Sequence, residues 1–193
     1  MADRPLIALL AAGRASRFGA DKLSAPCAGA PLASHAVRAL RGTGFDAICI
    51  TAPGARPGWL GDKIAAIANP RAAEGLGTSV ALAAREAQRR GAPLLLLQLA
   101  DMPCVTTGLL LAVAAAGPLA ACRYPSGRPG VPAMLPAARF AELAALAGDR
   151  GAAGLLAGDP AVALVDCPAD ELIDVDTPEA LARAEAVLAA RQA

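Results

Sequence analysis

The sequence predicts a single α/β domain, spanning residues 1–193, built around a mainly parallel β-sheet. Apolar runs of strand length alternate with helix-like segments, which is the order of repeated strand-loop-helix units. Residues 93–100 are apolar almost throughout, as expected of a central strand that helices cover on both faces. A chain of 193 residues is also long enough to bury a substantial core.

The first half of the chain is predicted to alternate strands and helices. Pro31 stands near the start of the first helix and Gly42 just past its end, which are the usual places for these residues. Thr78 or Ser79 can cap the helix that follows a glycine-containing turn. The predicted strands are residues 5–10, 45–51, 67–69 and 93–100, and the predicted helices are 31–40, 60–66 and 78 or 79 to 90.

The second half repeats this alternation. Glycines at 148, 151 and 154 open a short helix that ends near residue 158. Thr177 followed by Pro178 marks the start of the last helix. The predicted strands are residues 119–124, 131–135 and 161–167, and the predicted helices are 106–116, 137–147, 148–158 and 178–190.

Composition argues against several classes of partner and compartment. A net charge of +1 and 3% aromatic residues offer neither a basic field nor stacking platforms, so no nucleic acid is expected. No apolar run approaches 18 residues, so no membrane contact is expected. The five cysteines are odd in number and form no Cys-x-x-Cys pair, which favours reduced thiols and a cytoplasmic location.

A glycine-rich stretch at residues 9–23 carries the strongest functional signal. Its small residues let the backbone approach a ligand closely, and successive N–H groups in such a turn bind anions. Arg14, Arg17 and Lys22 add positive charge, so the stretch predicts a site for a phosphorylated ligand. Lys22 is one of two lysines among 18 basic residues, and lysine serves as a compact point charge for phosphate. The spacing fits neither a Walker A loop nor the Rossmann glycine fingerprint.

Residues 69–80 form a second segment of interest. Asn69 ends a predicted strand, and Gly75 and Ser79 precede or begin the next helix. In α/β proteins this position often contacts a ligand, although the same residues also fit an ordinary capped helix start.

Three aspartates form a candidate metal site. Asp101 directly follows the buried strand 93–100, where a carboxylate either begins a turn or binds a hard cation. Apolar and acidic residues alternate over 172–176, so Asp174 and Asp176 share one face. These two aspartates either form the acidic edge of a capped helix or provide a second ligand for the cation.

These segments resemble the MobA-like nucleotidyltransferases, in four motifs at residues 10–23, 69–79, 100–103 and 174–179. The first reads Leu-Ala-Ala-Gly-x-x-x-Arg-Phe-Gly-x-x-Lys-Leu and matches without a gap. The resemblance implies a Rossmann-like three-layer α/β/α sandwich of the nucleotidyltransferase type. It implies catalytic roles for Arg17, Lys22 and Asp101, and Mg²⁺ held by Asp101 with Asp176 or Asp174. The nucleotide-binding residues that it implies are Leu10, Ala11, Ala12, Gly13, Arg17, Lys22, Asn69, Gly75 and Ser79.

Within this family, the first motif and residues 74–77 are most similar to the molybdenum cofactor cytidylyltransferases. Such enzymes transfer CMP from CTP to the terminal phosphate of the molybdopterin cofactor and release pyrophosphate. A methyl group at Ala12, where the guanylyl branch has glycine, predicts CTP rather than GTP. The resemblance also implies a phosphorylated pterin acceptor and a molybdoenzyme or its chaperone as a partner.

One residue departs from that branch. Val131 stands where the branch has a polar residue near the acceptor. Two alternatives therefore stay open: a related GTP- or CTP-dependent nucleotidyltransferase acting on another phosphorylated acceptor, or a non-catalytic nucleotide-binding accessory protein of a molybdoenzyme. Lys22 and Asp101 favour catalysis, because a protein that only binds nucleotide need not keep a metal ligand.

Overall fold

The computed structural model describes residues 4–13, 22–54 and 56–192. The strands found there are β1 (Leu6–Ala11), β2 (Pro26–Cys27), β3 (Ala30–Pro31), β4 (Asp46–Thr51), β5 (Ala65–Ala68), β6 (Leu94–Leu99), β7 (Ala120–Arg123), β8 (Pro129–Pro136) and β9 (Ala163–Asp166). The α-helices are α1 (Leu32–Gly42), α2 (Leu76–Arg89), α3 (Thr107–Ala116), α4 (Phe140–Ala144), α5 (Ala153–Leu156) and α6 (Pro178–Ala190). No helix within these ranges is long and apolar enough to cross a membrane.

Seven strands form one sheet in the spatial order β5-β4-β1-β6-β8-β7-β9, and β2 pairs with β3 in a separate short hairpin. The neighbours among β5, β4, β1 and β6 are parallel, as are β7 and β9. Strand β8 is antiparallel to both of its neighbours. The prediction of a mainly parallel sheet is therefore confirmed.

Helices cover both faces of this sheet, as the side chains of β1 illustrate. Ile7 and Leu9 pack into an apolar cluster with α1 and α3, whereas Leu6 and Ala8 pack into a second cluster with α2, α4 and α5. Successive side chains of a strand point to opposite faces, so a strand buried on both sides must be apolar throughout. The three-layer α/β/α arrangement follows from this and is confirmed.

The order of the strands creates a crevice beside β1. The chain passes from β1 through α1 to β4 on one side, and then returns through β5 and α2 to β6 on the other side of β1. Helices α1 and α2 lie on opposite faces of the sheet. Such a reversal leaves an open crevice at the carboxyl ends of the strands, where ligands bind in α/β sheets.

Three of the helix predictions are wrong in extent or kind. No helix spans residues 60–66, because Gly61 adopts φ 67° after the 3₁₀ turn Gly58–Leu60, and β5 begins at Ala65. The helix predicted over 137–147 is a 3₁₀ turn, Ala137–Arg139, followed by α4, and the one predicted over 148–158 contracts to α5. Strand β8 begins two residues before the predicted position, at Pro129.

The predicted cap of α2 is also wrong. The helix begins at Leu76, with Gly75 as its N-cap residue, so Thr78 and Ser79 lie within the first turn. Gly75 has φ 119°, a conformation that favours glycine and lets the helix start earlier than the side-chain pattern indicates.

Candidate active site

A cleft of about 1080 Å³ opens at the carboxyl ends of the central parallel strands. This volume is large enough for a nucleotide together with part of a second substrate. Most of the residues predicted to bind nucleotide line it: Leu10, Ala11, Ala12, Gly13, Lys22, Gly75 and Ser79. Arg14 and Arg17 lie outside the described residues, so their predicted roles stay predictions.

Ala11 is the last residue of β1 and Ala12 follows it, and both line the cleft. Their methyl groups pack mainly into the two apolar clusters on opposite faces of the sheet, with 8% and 3% of each residue exposed. The cleft is therefore bounded here by backbone and by methyl groups that the core holds in place. The size of the Ala12 methyl group is consequently a weaker reason for base selection than the sequence alone indicates.

Asn69 does not line the cleft, unlike the other predicted nucleotide-binding residues that the structure describes. It is 2% exposed, and its Nδ2 donates to Thr78 Oγ1 at 2.9 Å and to Ser79 Oγ at 3.0 Å. Its Oδ1 accepts from the Arg71 N–H at 3.0 Å. Through these three hydrogen bonds Asn69 positions the start of α2. Of the residues that it contacts there, Ser79 lines the cleft.

The loop at residues 147–151 packs directly on the start of α2. The Gly77 N–H donates to the Gly148 carbonyl at 2.8 Å. A Cβ atom at Gly77 would lie 2.8 Å from the Arg150 carbonyl oxygen, and one at Gly75 would lie 2.5 Å from Asp149 Oδ1. Glycine at these two positions therefore permits the close approach that brings Asp149 to the cleft wall.

Lys22 lies between two of the three predicted metal ligands. Its Nζ is 2.8 Å from Asp101 Oδ2 and 2.8 Å from Asp176 Oδ1, and the lysine is only 8% exposed. Burial alone would lower the pKa of the Lys22 ammonium, but these two ion pairs outweigh it and raise the pKa above its ordinary value. Lys22 is therefore fully charged at neutral pH.

Asp174 completes a cluster of three carboxylates. One oxygen from each of Asp101, Asp174 and Asp176 lies within 4.8 Å of the others. Partial loss of hydration, followed by repulsion from Asp101 and Asp176, raises the pKa of Asp174 to about 7, while Lys22 acts in the opposite direction. Three carboxylates face one ammonium, so the site lacks positive charge. An all-oxygen donor set with this deficit fits Mg²⁺ or Mn²⁺.

Backbone contacts hold the acidic segment against the end of β6. The Val175 N–H donates to the Asp101 carbonyl at 3.0 Å, and Ile173 and Val175 are buried. The Glu171 carboxylate accepts from the Thr106 N–H at 3.0 Å and from its hydroxyl at 2.8 Å. The predicted orientation of Asp174 and Asp176 on one side is therefore confirmed, although residues 172–176 form no strand of the sheet.

Sequence reasoning missed several residues of the cleft. Trp59, Pro53 and Pro57 line it from the loop after β4, and Asp149 lines it from the loop that packs on α2. The available signal for the first group is the chain's single tryptophan in a proline- and glycine-rich loop directly after a strand. Val131, in contrast, does not line the cleft, and its carbonyl accepts from the Tyr124 hydroxyl at 2.8 Å.

The family model described as the MobA-like NTP transferase domain matches residues 7–170. No curated protein matches the chain. Among solved structures, Rv0371c from Mycobacterium tuberculosis H37Rv is 26% identical with a TM-score of 0.77, over 96% of this chain and 99% of that chain. A complex of that protein with manganese gives 24% identity and a TM-score of 0.74, over 95% of this chain and 98% of that chain.

Two more distant structures share the fold. Molybdopterin-guanine dinucleotide biosynthesis protein A from Archaeoglobus fulgidus is 16% identical with a TM-score of 0.65, over 96% of this chain and 99% of that chain. The 2-C-methyl-D-erythritol 4-phosphate cytidylyltransferase from Thermus thermophilus is 21% identical with a TM-score of 0.64, over 96% of this chain and 98% of that chain. At these identities the likeness concerns the fold alone, so neither base nor acceptor follows from it.

Proposed function

Because the chain belongs to the MobA-like NTP transferase domain family, we propose that it transfers CMP from CTP to the terminal phosphate of a molybdopterin-type cofactor. Pyrophosphate is the second product. The observation that carries the proposal is the set of Lys22, Asp101, Asp174 and Asp176 at the cleft, beside the end of β1. A cation and a lysine at this place supply the charge that a nucleoside triphosphate needs.

The chemistry requires no protein nucleophile. A terminal phosphate oxygen of the acceptor attacks the α-phosphorus of CTP, and a new O–P bond forms. The bond from the α-phosphorus to the oxygen bridging to the β-phosphate breaks, and pyrophosphate leaves with its electron pair. Such transfers depend on positioning and on stabilising the developing charge.

A divalent cation, when bound, supplies positive charge to the phosphate oxygens, and we propose Mg²⁺ for this role. Its three candidate ligands are the clustered carboxylates of Asp101, Asp174 and Asp176. The manganese complex of the Mycobacterium tuberculosis relative supports a divalent cation in this fold. With a cation on these carboxylates, Lys22 would direct its N–H groups to the triphosphate, and we propose the same role for Arg17.

The Asn69–Ser79 contact supports CTP over GTP. Ser79 Oγ accepts a hydrogen bond from Asn69 Nδ2, so its hydroxyl proton remains available for an acceptor in the cleft. The pairing edge of cytosine offers two acceptors, O2 and N3, and one donor, N4, whereas that of guanine offers one acceptor, O6, and two donors, N1 and N2. A donating hydroxyl at this wall finds one more acceptor on cytosine than on guanine and therefore favours CTP. One hydrogen bond contributes about 0.5–1.5 kcal/mol, so the expected preference in kcat/KM is roughly 2- to 10-fold.

The acceptor and the partner belong to the same proposal. The sequence resemblance supports a phosphorylated pterin, and a molybdoenzyme or its chaperone would receive the product. The departure at Val131 weighs less against this acceptor, because that residue does not line the cleft. Five unpaired cysteines, four of them buried, suit the cytoplasm as the place of reaction.

Pyrophosphate release tests the proposal. The purified protein is incubated with Mg²⁺ and either CTP or GTP, with and without molybdopterin cofactor. Release with CTP that depends on the cofactor is the expected result, and Ser79→Ala should narrow the preference for CTP. A preference for GTP contradicts the cytidylyl assignment, and release with a different phosphorylated acceptor supports the first alternative. Binding of CTP without any release supports the accessory-protein alternative.

A further inference from the structure

The loop between β4 and β5 forms a wall of the cleft that the proposed chemistry does not use. Trp59, Pro53 and Pro57 line the cleft from this loop. Strands β6, β1 and β4 are successive neighbours, so the end of β4 lies two strands away from Asp101 at the end of β6. Two strand spacings amount to roughly 10 Å. A nucleoside attached to an α-phosphate near Asp101 can therefore reach this wall or the start of α2, both of which line the cleft.

The fold anchors residues 56–64 of this loop firmly. Arg56 Nη2 donates to the Ile64 carbonyl at 2.6 Å and also to the Gly61 carbonyl. Leu60 and Ile64 are 1% and 2% exposed in the cluster beside α1, and the Leu60 N–H donates to the Pro57 carbonyl at 3.1 Å. A side chain presented by such a segment is already ordered, so contact with a ligand costs little conformational entropy.

The indole of Trp59 is held by packing and also borders the cleft. Part of the ring packs against the cluster beside α1, and the residue also lines the cleft. Its Nε1 is buried and has no hydrogen-bond partner among residues 4–13, 22–54 and 56–192. Buried donors in folded proteins are almost always paired. Within the described residues, packing against the cluster beside α1 is therefore what holds the ring at the cleft.

We propose that Trp59 contacts the nucleoside of the bound nucleotide, with its ring against the base. This inference rests on the proposed function, because it takes a nucleoside triphosphate as the ligand. Aromatic rings stack on any base, since every base has a π-face. Trp59 therefore contributes affinity for CTP and GTP alike, whereas Ser79 contributes the choice between them.

Tryptophan fluorescence provides a direct readout, because Trp59 is the only tryptophan in the chain. Titration of the wild-type protein with CTP and Mg²⁺ should change the emission saturably, with the Kd that calorimetry gives. Inorganic tripolyphosphate with Mg²⁺ serves as the control ligand, because it carries the phosphates without a nucleoside. It should bind without the same change in emission.

Two substitutions separate the ring from the fold. Trp59→Leu removes the stacking surface and should weaken both CTP and GTP by roughly 5- to 100-fold, while tripolyphosphate binds as in the wild type. Trp59→Phe keeps a flat ring and should lose less than about fivefold, which guards against a variant that merely unfolds. Leu111→Ala, on the exposed side of α3, is the control for an unrelated apolar truncation.

The outcomes distinguish this inference from the function on which it rests. Equal CTP affinity in wild type and folded Trp59→Leu overturns the contact and leaves the proposed function intact. Equal weakening of CTP and tripolyphosphate also overturns it, because Trp59 then acts only by supporting the loop. A wild-type protein that binds neither CTP nor GTP overturns the proposed function, and the contact with it.

Discussion

Lys22 and Lys63 are the two lysines of the chain, and they lie in opposite surroundings. Lys22 is nearly buried between Asp101 and Asp176, whereas Lys63 is exposed on the loop after β4. Removing a preorganised charge that faces a developing anion typically costs 10²- to 10³-fold in rate. We expect Lys22→Ala to lower kcat/KM by roughly this amount and Lys63→Ala to leave it unchanged. Steady-state pyrophosphate release measures both, and equal rates in the two variants would remove Lys22 from the active site.

Asp101 should be required for the metal and not for the fold. In Asp101→Asn the Lys22 ammonium keeps its ion pair with Asp176, so the melting temperature should change little. Loss of one of the three clustered carboxylate charges should abolish Mg²⁺-dependent turnover and weaken Mn²⁺ binding in calorimetry.

The matched control is Asp62→Asn, which removes a carboxylate from an exposed position outside the cleft. It should behave as the wild type in both measurements. If Asp101→Asn stays active, or fails to fold, the carboxylate has a structural role and the metal assignment is wrong.

At the scale of elements, the contact between α2 and the loop at 147–151 decides how the cleft is assembled. In Gly77→Ala the new methyl group would lie 2.8–2.9 Å from three backbone carbonyl oxygens, which cannot rotate away as a side chain would. We expect a loss of about 1–3 kcal/mol in the free energy of unfolding. Because the loop must shift at the cleft wall, the KM for CTP should also rise.

Gly154→Ala is the matched comparison, because Gly154 lies in α5 with open space around its Cα. There the same change should stabilise by about 0.5–1 kcal/mol, since alanine loses less backbone entropy in a helix. Urea unfolding of both variants gives the two free energies. A similar effect at both positions would mean that the loop does not depend on glycine at position 77.

Periodicity predicts elements well where burial decides them and poorly where single residues do. Strands β1 and β6 are recognisable because both faces are covered, and Gln98 of β6 is the single polar side chain in the two strands. The prediction of a helix at 60–66 is wrong. Leu60 and Ile64 have the spacing of one helical face, but Gly61 turns the chain between them. Both residues are buried, but in an irregular segment.

The sequence predicts that the site residues lie at one edge of the sheet, but it does not predict which of them contact each other. Lys22 contacts Asp101 and Asp176 across 79 and 154 positions, and nothing local to residue 22 encodes that pairing. Asn69 shows the opposite case, because a polar residue after a strand suits a ligand contact or a structural bond equally. Its burial decides that its three hydrogen bonds are internal.

For the molecule as a whole, Asp174 links stability to pH. Its pKa is raised to about 7, whereas an aspartate in the unfolded chain titrates near 4. Between these values the unfolded chain loses a proton that the native state keeps, so stability falls as pH rises through this window. At pH 8 Asp174 is ionised in both states, so its charge destabilises the native state to the full extent. Because the side chain is exposed, water and salt reduce the size of this effect.

Asp174→Asn should therefore melt at a higher temperature than the wild type at pH 8 in the presence of a chelator. Each kcal/mol of relief raises the Tm of a domain of this size by about 2–4 °C. The difference should disappear near pH 4, and Mg²⁺ at pH 8 should raise the Tm of the wild type more than that of the variant. A variant that is less stable than the wild type at pH 8 would show that the charge of Asp174 does not destabilise the native state.

On the proposed metal assignment, the segment that carries Asp174 and Asp176 also determines when activity can appear during synthesis. A growing chain has produced every strand of the sheet by Asp166, but it then holds only one of the three clustered carboxylates. The other two arrive with residues 172–176, which dock through the hydrogen bond from Val175 to Asp101. A ribosome-bound intermediate can thus have the completed sheet and still lack two of the three clustered carboxylates. On the proposed metal assignment, turnover requires residues 172–176 to have emerged and docked against the end of β6.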